Sequence, residues 1–292
     1  MIDLSVIILS YNTREVTDRC LTLAAAAAKK DTEIIVVDNG STDGSAEMIA
    51  KKHPEVKLIN TGQNLGFAAG NNLALRQATG KYLLLLNSDV FVRKETFVRT
   101  VNYFERHTQA DVVGCRLELP SGRLQPSAGH LPTPKNVVLW LLGLDKLLGI
   151  DGVHPKNAEF FKKSRRVEWV MGAFLAMRRD VWEKTGGMDE HFFMYMEEVE
   201  WCWRMKTKGF SVWYVPEWTV THLSQASSRG DVRGPLVKEM VGLSYLIQRH
   251  EPNAWWWLRP VLQAGNLARM VAWGLLLRPR KAAAYKEVLT KI

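Results

Sequence analysis

The residues able to do chemistry in this 292-residue chain fall into a few short clusters. Tyr11 and Asn12 end the run LSVIILSYN. Asp38 closes EIIVVD and is followed by Asn39. Asn87, Ser88 and Asp89 end KYLLLLNSD. A carboxylate only accepts hydrogen bonds and an amide both donates and accepts, so such clusters suit a polar ligand. NLGFAAGNN (64–72) packs two glycines and two alanines around a helix start. Small residues let backbone approach a ligand closely, and a helix N-terminus favours an anion. Two adjacent acids, Glu197 and Glu198, stand in MYMEEVEWCWR, and His222 stands in VTHLSQASS. Each has a plainer reading beside the chemical one. Asn, Asp and Gly form turns, small residues allow tight helix–sheet packing, and an acid opening a helix answers the helix dipole.

The elements that must hold these clusters alternate. Strands are predicted over 4–10, 33–38, 56–60 and 81–87, with helices over 14–30, 45–53 and from NLGFAAGNN to about Thr79. That rhythm predicts an α/β fold with a mainly parallel sheet and helices on both faces. Functional groups in such sheets gather at the carboxyl ends of strands, where all three clusters fall. Further on, residues 110–125 read as a hairpin with a Ser-Gly turn. VVLWLLGLDKLLGI (137–150) is too short to span a bilayer and reads as a core or an interfacial helix. Residues 167–179 read as a strand kinked at Gly172 and Ala173, 197–209 as a helix, 210–216 as a strand and 235–292 as helices. Glu200, four residues before Arg204, reads as half of a surface ion pair.

Lys and Arg outnumber Asp and Glu by 39 to 30, a net charge of +9. That surplus favours anionic partners: nucleotides, nucleic acid or acidic lipid. No nucleic-acid-binding motif is present, and the basic residues gather near tryptophans instead. Cys20, Cys115 and Cys202 are far apart and contain no CxxC, which argues against a disulfide scaffold or structural zinc and fits a reducing cytosol. The N-terminal apolar run lacks a basic flank and reads as a buried strand, not a signal peptide.

Residues 255–278 (WWWLRPVLQAGNLARMVAWGLLLR) carry Arg259, Gln263, Asn266 and Arg269 as one polar stripe on an otherwise apolar helix. Crossing a bilayer would cost about 2.5–3.5 kcal/mol for each arginine near its centre, and Pro260 adds an objection. A helix lying in the plane of the interface keeps the arginines at the headgroups. Trp255, Trp256 and Trp257 at one end and Arg278, Arg280 and Lys281 at the other suit that placement. The competing reading is a helix packed on the rest of the protein or forming a homodimer contact.

Six pieces occur in one order: SVIILSYN, VVDNGSTDGS, NLGFAAGNN, LLNSD, VMGAFLAMRR and GGMDEHFFMYMEEVEWCWRMKTKG. On these the chain resembles family 2 glycosyltransferases of the GT-A fold, and within them the rhamnosyltransferase-like branch that builds bacterial cell-surface polysaccharide. The resemblance covers roughly residues 3–225. It implies a Rossmann-like catalytic domain over 1–230, binding a nucleotide sugar through about 1–115 and shaping the acceptor side through about 116–230. A helical, membrane-associating segment would follow over 231–292.

The same resemblance implies roles. Tyr11 and Asn12 would hold the nucleotide, with Asn64, Gly66, Asn71 and Ser88. Asp38 resembles the carboxylate that accepts the pyrimidine N3–H; Asp43 reads as a turn or cap residue. LLNSD resembles the metal-binding DXD motif with Asn87 in the first acidic place. Asp89, joined by His222, would hold Mg²⁺ or Mn²⁺ against the diphosphate, since hard oxygen ligands suit those ions. Either Glu197 or Glu198, the former preferred, would be the single base an inverting transfer needs. Their side chains diverge by about 100° on a helix, so both cannot face one hydroxyl. Arg229 and Arg233, in SSRGDVRG, would clamp diphosphate oxygens. Trp169, Gly172 and Asp189 would contact the acceptor. The expected donor is dTDP- or UDP-linked, with dTDP-rhamnose first, and the expected acceptor is a saccharide on polyprenyl diphosphate. That places the protein in the cytoplasm, on the inner face of the plasma membrane. A nucleotidyltransferase would carry a Gly-rich phosphate loop after the first strand, which LSYNTREV is not. A non-catalytic nucleotide-sugar-binding or scaffold protein would not need the Glu197–Glu198 pair.

Overall fold

The computed structural model describes residues 2–155, 157–224 and 233–292. The first elements are β1 (Leu4–Ser10), α1 (Arg14–Ala27), β2 (Thr32–Asp38), α2 (Ser45–Lys52), β3 (Lys57–Asn60), α3 (Phe67–Leu75) and β4 (Tyr82–Asn87). There follow β5 (Val90–Phe91), α4 (Thr96–Arg106), the hairpin β6 (Val112–Glu118) and β7 (Leu124–Gln125), β8 (Ala128–Gly129), α5 (Pro134–Leu142) and α6 (Leu144–Leu147). Next come β9 (Arg165–Val167), β10 (Trp169–Val170), β11 (Phe174–Arg178), α7 (Arg179–Thr185), α8 (Glu197–Thr207) and β12 (Val212–His222). Three helices close the chain: α9 (Arg233–His250), α10 (Pro252–Leu275) and α11 (Pro279–Lys291).

The main sheet runs β3-β2-β1-β4-β11-β6-β12-β5. β1 pairs in parallel with both β2 and β4, as the alternating pattern predicts, whereas β11 lies antiparallel between β4 and β6. Register decides where the site forms. Ser10 is level with Asp38, and Leu9 with Asn87, so three strand ends share one rim. Phe174 sits opposite Leu86, which brings Gly172 to that rim from the other direction. His222 pairs with Val90 and so stands beside Asp89.

Alternation along the strands feeds two cores. Ile7, Ile35, Leu83 and Leu85 face one side, Val6, Ile8, Val36, Leu84 and Leu86 the other. The second face is covered by α1, α2 and α4 through Cys20, Leu21, Ile49 and Phe104. The first is covered by α3, α8 and α9, and its apolar cluster continues into Leu258 and Leu262 of α10 and Val288 of α11.

Three boundaries differ from expectation. The predicted strand over 167–179 is split, with β10 pairing β8 and β11 entering the main sheet, and the break falls at the small residues Gly172 and Ala173. The strand predicted to end at residue 216 runs on to His222. Pro216 has no N–H for the ladder, and the register slips between Val215 and Thr219, a bulge that mimics a strand end in the sequence. The apolar run 137–150 is broken at Gly143, which adopts φ +70° and separates α5 from α6.

Candidate active site

A pocket opens on the rim where β1, β2 and β4 end. It is lined by Tyr11, Asn39, Asn64, Gly66, Phe67, Asn87, Ser88, Asp89 and Phe193. Asn39 and Asn64 hold its wall: Asn39 Nδ2 donates to Asn64 Oδ1 and to Gly66 O, and Asn64 Oδ1 accepts from Gly66 N. Gly66 is required twice over. Its φ is +86°, and a Cβ there would lie 2.5 Å from Phe193 O. Asp38 is buried at the end of β2; its Oδ1 accepts from Ser41 N, and its Oδ2 has no hydrogen-bond partner among the described residues.

Two expected nucleotide contacts serve the scaffold instead. Asn12 does not line the pocket; its Oδ1 accepts from Thr42 N and its N–H donates to Ser41 Oγ, tying the loop after β1 to the loop after β2. Asn71 is buried and its amide donates back to Phe67 O, one helical turn away, so the helix itself consumes it. Asp43 caps as expected, accepting from Arg14 N and Ser45 N.

Asp89 Oδ1 lies 3.2 Å from His222 Nε2. The other ring nitrogen of His222 is 2.8 Å from Gln125 Oε1, a partner on β7 that the sequence reading missed. With Nδ1–H donated to Gln125, the Nε2 lone pair is left facing Asp89, the arrangement in which an outer residue fixes a ligand histidine. Asn87 lines the same pocket, and its Oδ1 is buried without a partner among the described residues. This donor set fits a hard divalent cation. Among the described residues no three His, Cys, Asp or Glu side chains converge to hold a metal unaided, so a bound ion would draw its remaining ligands from diphosphate and water.

Glu197 and Glu198 open α8 directly after Tyr195 and Met196, two non-glycine residues with φ of +72° and +76°. Backbone held in that region costs of order 1–3 kcal/mol per residue and is found where a fold is forced to aim a functional group. The two glutamates point differently. Glu197 is buried, and burial followed by the Glu198 charge pushes its carboxyl well above the usual carboxylate range. Glu198 is half-buried, touches Gly172 and is also raised by burial. Gly172 N–H points to Glu198 Oε1 at 3.5 Å, and a Cβ on Gly172 would meet the Phe67 ring. Gly172 thus separates Glu198 from the pocket wall by one atom's width.

On its far side Glu198 senses a third acid. Glu239 of α9 is raised by burial and then by the Glu198 charge. Glu239 lines a small cavity with Trp140, His154, Met196 and Met240, and His154 Nε2 lies 3.7 Å from its Oε1. No motif marks Glu239 or His154 in the sequence; the packing of α9 and of the 152–155 segment beside α8 brings them here.

Several other named side chains make their contacts elsewhere in the fold. Trp169 does not offer its ring to a sugar: it is 5% exposed, and its Nε1–H donates to His130 O and Val153 O inside the core. Asp189 is spent on α9, accepting from Tyr245 Oη–H and pairing with Arg249. Arg233 opens α9, and Glu287 of α11 binds it at 2.7 Å. Arg229 lies outside the described residues. Glu200 does pair with Arg204 but is 0% exposed, and it also accepts from His250. The contacts of Glu200 with Arg249 and His250 fasten α8 to α9.

Comparison with known proteins gives a consistent picture. The family model described as Glycosyl transferase family 2 matches residues 5–203. The N-acetylglucosaminyl-diphospho-decaprenol L-rhamnosyltransferase of Mycobacterium tuberculosis (strain CDC 1551 / Oshkosh) is 27% identical over 272 residues, covering 87% of this chain and 86% of the relative. Rhamnosyltransferase WbbL of Escherichia coli (strain K12) is 25% identical over 173 residues, covering 56% of this chain and 63% of WbbL. Among solved structures, the mannosyltransferase PcManGT from Pyrobaculum calidifontis, in complex with GDP-Man and Mn²⁺, superposes with a TM-score of 0.60. It covers 99% of this chain and 86% of that one at 16% identity, a likeness of fold.

Proposed function

The chain belongs to glycosyl transferase family 2, and from that premise we propose that it moves L-rhamnose from dTDP-rhamnose to a saccharide on polyprenyl diphosphate, with inversion. The single observation that carries the reading is the position of Glu198. A Cβ on Gly172 would lie 3.3 Å from the Phe67 ring of the rim pocket and 3.8 Å from Glu198 Cβ, so Glu198 stands next to the pocket wall, and its charge reaches Glu239.

In this reading the rim pocket takes the nucleotide diphosphate. The free Asp38 Oδ2 accepts the N3–H of the base, a role a carboxylate suits because it only accepts. Asp89 and His222 would hold a divalent cation, Mg²⁺ or Mn²⁺, which would supply positive charge to the diphosphate leaving group. The acceptor sugar enters past Trp140, His154 and Glu239. Glu198 then takes the proton of the acceptor hydroxyl as its oxygen bonds to the anomeric carbon, and the carbon–diphosphate bond breaks on the opposite face. We assign the base to Glu198 rather than Glu197 because Glu198 is the less buried of the two and lies against Gly172 at the wall of the rim pocket, whereas Glu197 is 3% exposed. The raised carboxyl suits a base working near neutral pH. A lipid-linked acceptor is met at a membrane surface, so the protein works from the cytoplasmic side, bound to but not crossing the bilayer. No described helix is long and apolar enough to cross a membrane.

A donor screen with Mn²⁺ or Mg²⁺ and a polyprenyl-diphosphate saccharide, scoring nucleotide release, tests the reading. dTDP-rhamnose should release nucleotide, and Glu198→Gln should lower the rate of release by about 10²–10⁴ while still binding the nucleotide. Turnover of another donor alone would replace rhamnose. Silence from every donor, identical in Glu198→Gln, would overturn the catalytic assignment.

A further inference from the structure

The polar stripe of α10 faces the opposite way from the one its sequence suggests. Asn266 is 0% exposed and donates to Leu262 O. Arg269 donates to Leu141 O at the end of α5 and lies over the Trp140 ring. Arg259 Nε donates to Ile292 O at the end of α11. Arg269 and Asn266 therefore face neighbouring helices, Arg259 ties α10 to the end of α11 while remaining exposed, and Leu267, Val271 and Leu275 are turned outward.

The outcome is a concentration of exposed apolar side chains. Among the described residues eleven large hydrophobics are exposed, and all but Phe193 lie in two segments. One is the α5–α6 tip, with Leu142, Leu147 at 79%, Leu148 and Ile150. The other is α10 and the turn after it, with Trp256, Leu267, Val271, Leu275, Leu276 and Leu277 at 86%. Arg269 and Gly265, which packs on Leu141, join these two segments side by side. Exposed apolar surface on this scale marks an interaction face.

Charge selects the occupant. Residues 252–292 contain seven Lys and Arg (259, 269, 278, 280, 281, 286 and 291) against one acid, Glu287. Seven minus one gives +6 of the chain's +9. Arg278, Arg280 and Lys281 are exposed immediately after Leu275–Leu277, and the Lys281 ammonium sits over the Trp273 ring at 4.0 Å. A second copy meeting this face about a two-fold axis would set +6 against +6. An anionic bilayer answers both the apolar surface and the charge.

We propose that the outer face of α10, the Leu275–Leu277 turn and the Leu147–Ile150 tip together form one surface that inserts into an anionic lipid leaflet. The inward Arg269, in the middle of the helix, lets it lie flat without placing that cation in hydrocarbon. Trp140 lines the Glu239 cavity from α5, whose far end leads to the inserted tip. The membrane face and the acceptor entrance therefore share one helix. This inference rests on the lipid-linked acceptor reading.

The test is flotation of the full chain with vesicles of phosphatidylcholine alone or mixed with phosphatidylglycerol, with nucleotide-dependent thermal protection as the check on folding. The intact protein should float with the anionic vesicles. Leu147→Glu with Leu148→Glu, and separately Leu275→Glu with Leu277→Glu, should each weaken partitioning at least tenfold with thermal protection unchanged. Arg278→Ala, Arg280→Ala and Lys281→Ala should each weaken it roughly fivefold. Undiminished flotation of both leucine variants would overturn the assigned face while leaving membrane binding intact. A lipid-free dimer by light scattering that these substitutions convert to monomer would reassign the face to a second copy. If the intact protein does not float yet transfers rhamnose, the membrane face is wrong and the catalytic reading survives.

Discussion

The rim pocket and the C-terminal helices both set a line of polar residues against an apolar background, and the two lines point in opposite directions. At the rim, Tyr11, Ser88 and Asp89 face the cavity, where a strand has ended and its next side chains meet no sheet neighbour. Along α10, Asn266 and Arg269 face protein together with Leu258 and Leu262, while Leu267, Val271 and Leu275 face out. A strand end has one way to point. A helical stripe fixes which residues share a face but leaves open which face is outside, and the partners of the helix choose.

The largest effect expected on the rim side is at Glu198. Glu198→Gln should lower kcat by about 10²–10⁴ with nucleotide affinity unchanged, and Glu197→Gln should fall far short of that. An equal loss from both would return the base to the pair as a unit. The sign of the pH dependence follows from burial: a raised carboxyl is protonated, and lost as a base, at higher pH than an ordinary glutamate. The acid limb of kcat/KM should therefore lie above the ordinary value of about 4.3, and an acid limb at or below it would contradict the geometry.

Gln125→Ala comes next. It should weaken Mn²⁺ affinity about 10–100-fold, read by metal titration of nucleotide binding, because it frees the His222 ring without touching a ligand atom. No change would remove His222 from the metal site.

The smallest effect is the one that separates the two regions. Arg269→Ala should cost about 1–3 kcal/mol of stability in urea unfolding, the price of leaving Leu141 O without its charged donor. Vesicle binding should stay within about twofold, since the guanidinium carries no lipid contact in this arrangement. A strong loss of vesicle binding with stability intact would restore the outward stripe.

Much of this molecule is determined by the sequence itself. Continuous apolar runs set β1, β2 and β4 as strands buried on both faces, and the residues that terminate them place Tyr11, Asp38 and Asp89 on one rim, because parallel strands with level registers must end together. What the sequence left open depended on distant partners. Asn12 and Asn71 look like ligand contacts until Thr42 and Phe67 O consume their amides. Trp169 looks like a sugar platform until His130 and Val153 enclose it. Glu197 and Glu198 are equal as letters, and the contact of Gly172 with one of them tells them apart. Only the tertiary structure brings Glu239 and His154 near the acid pair and turns Arg269 of α10 inward onto Leu141 O, because a long polar side chain goes where a desolvated carbonyl or carboxylate waits for it.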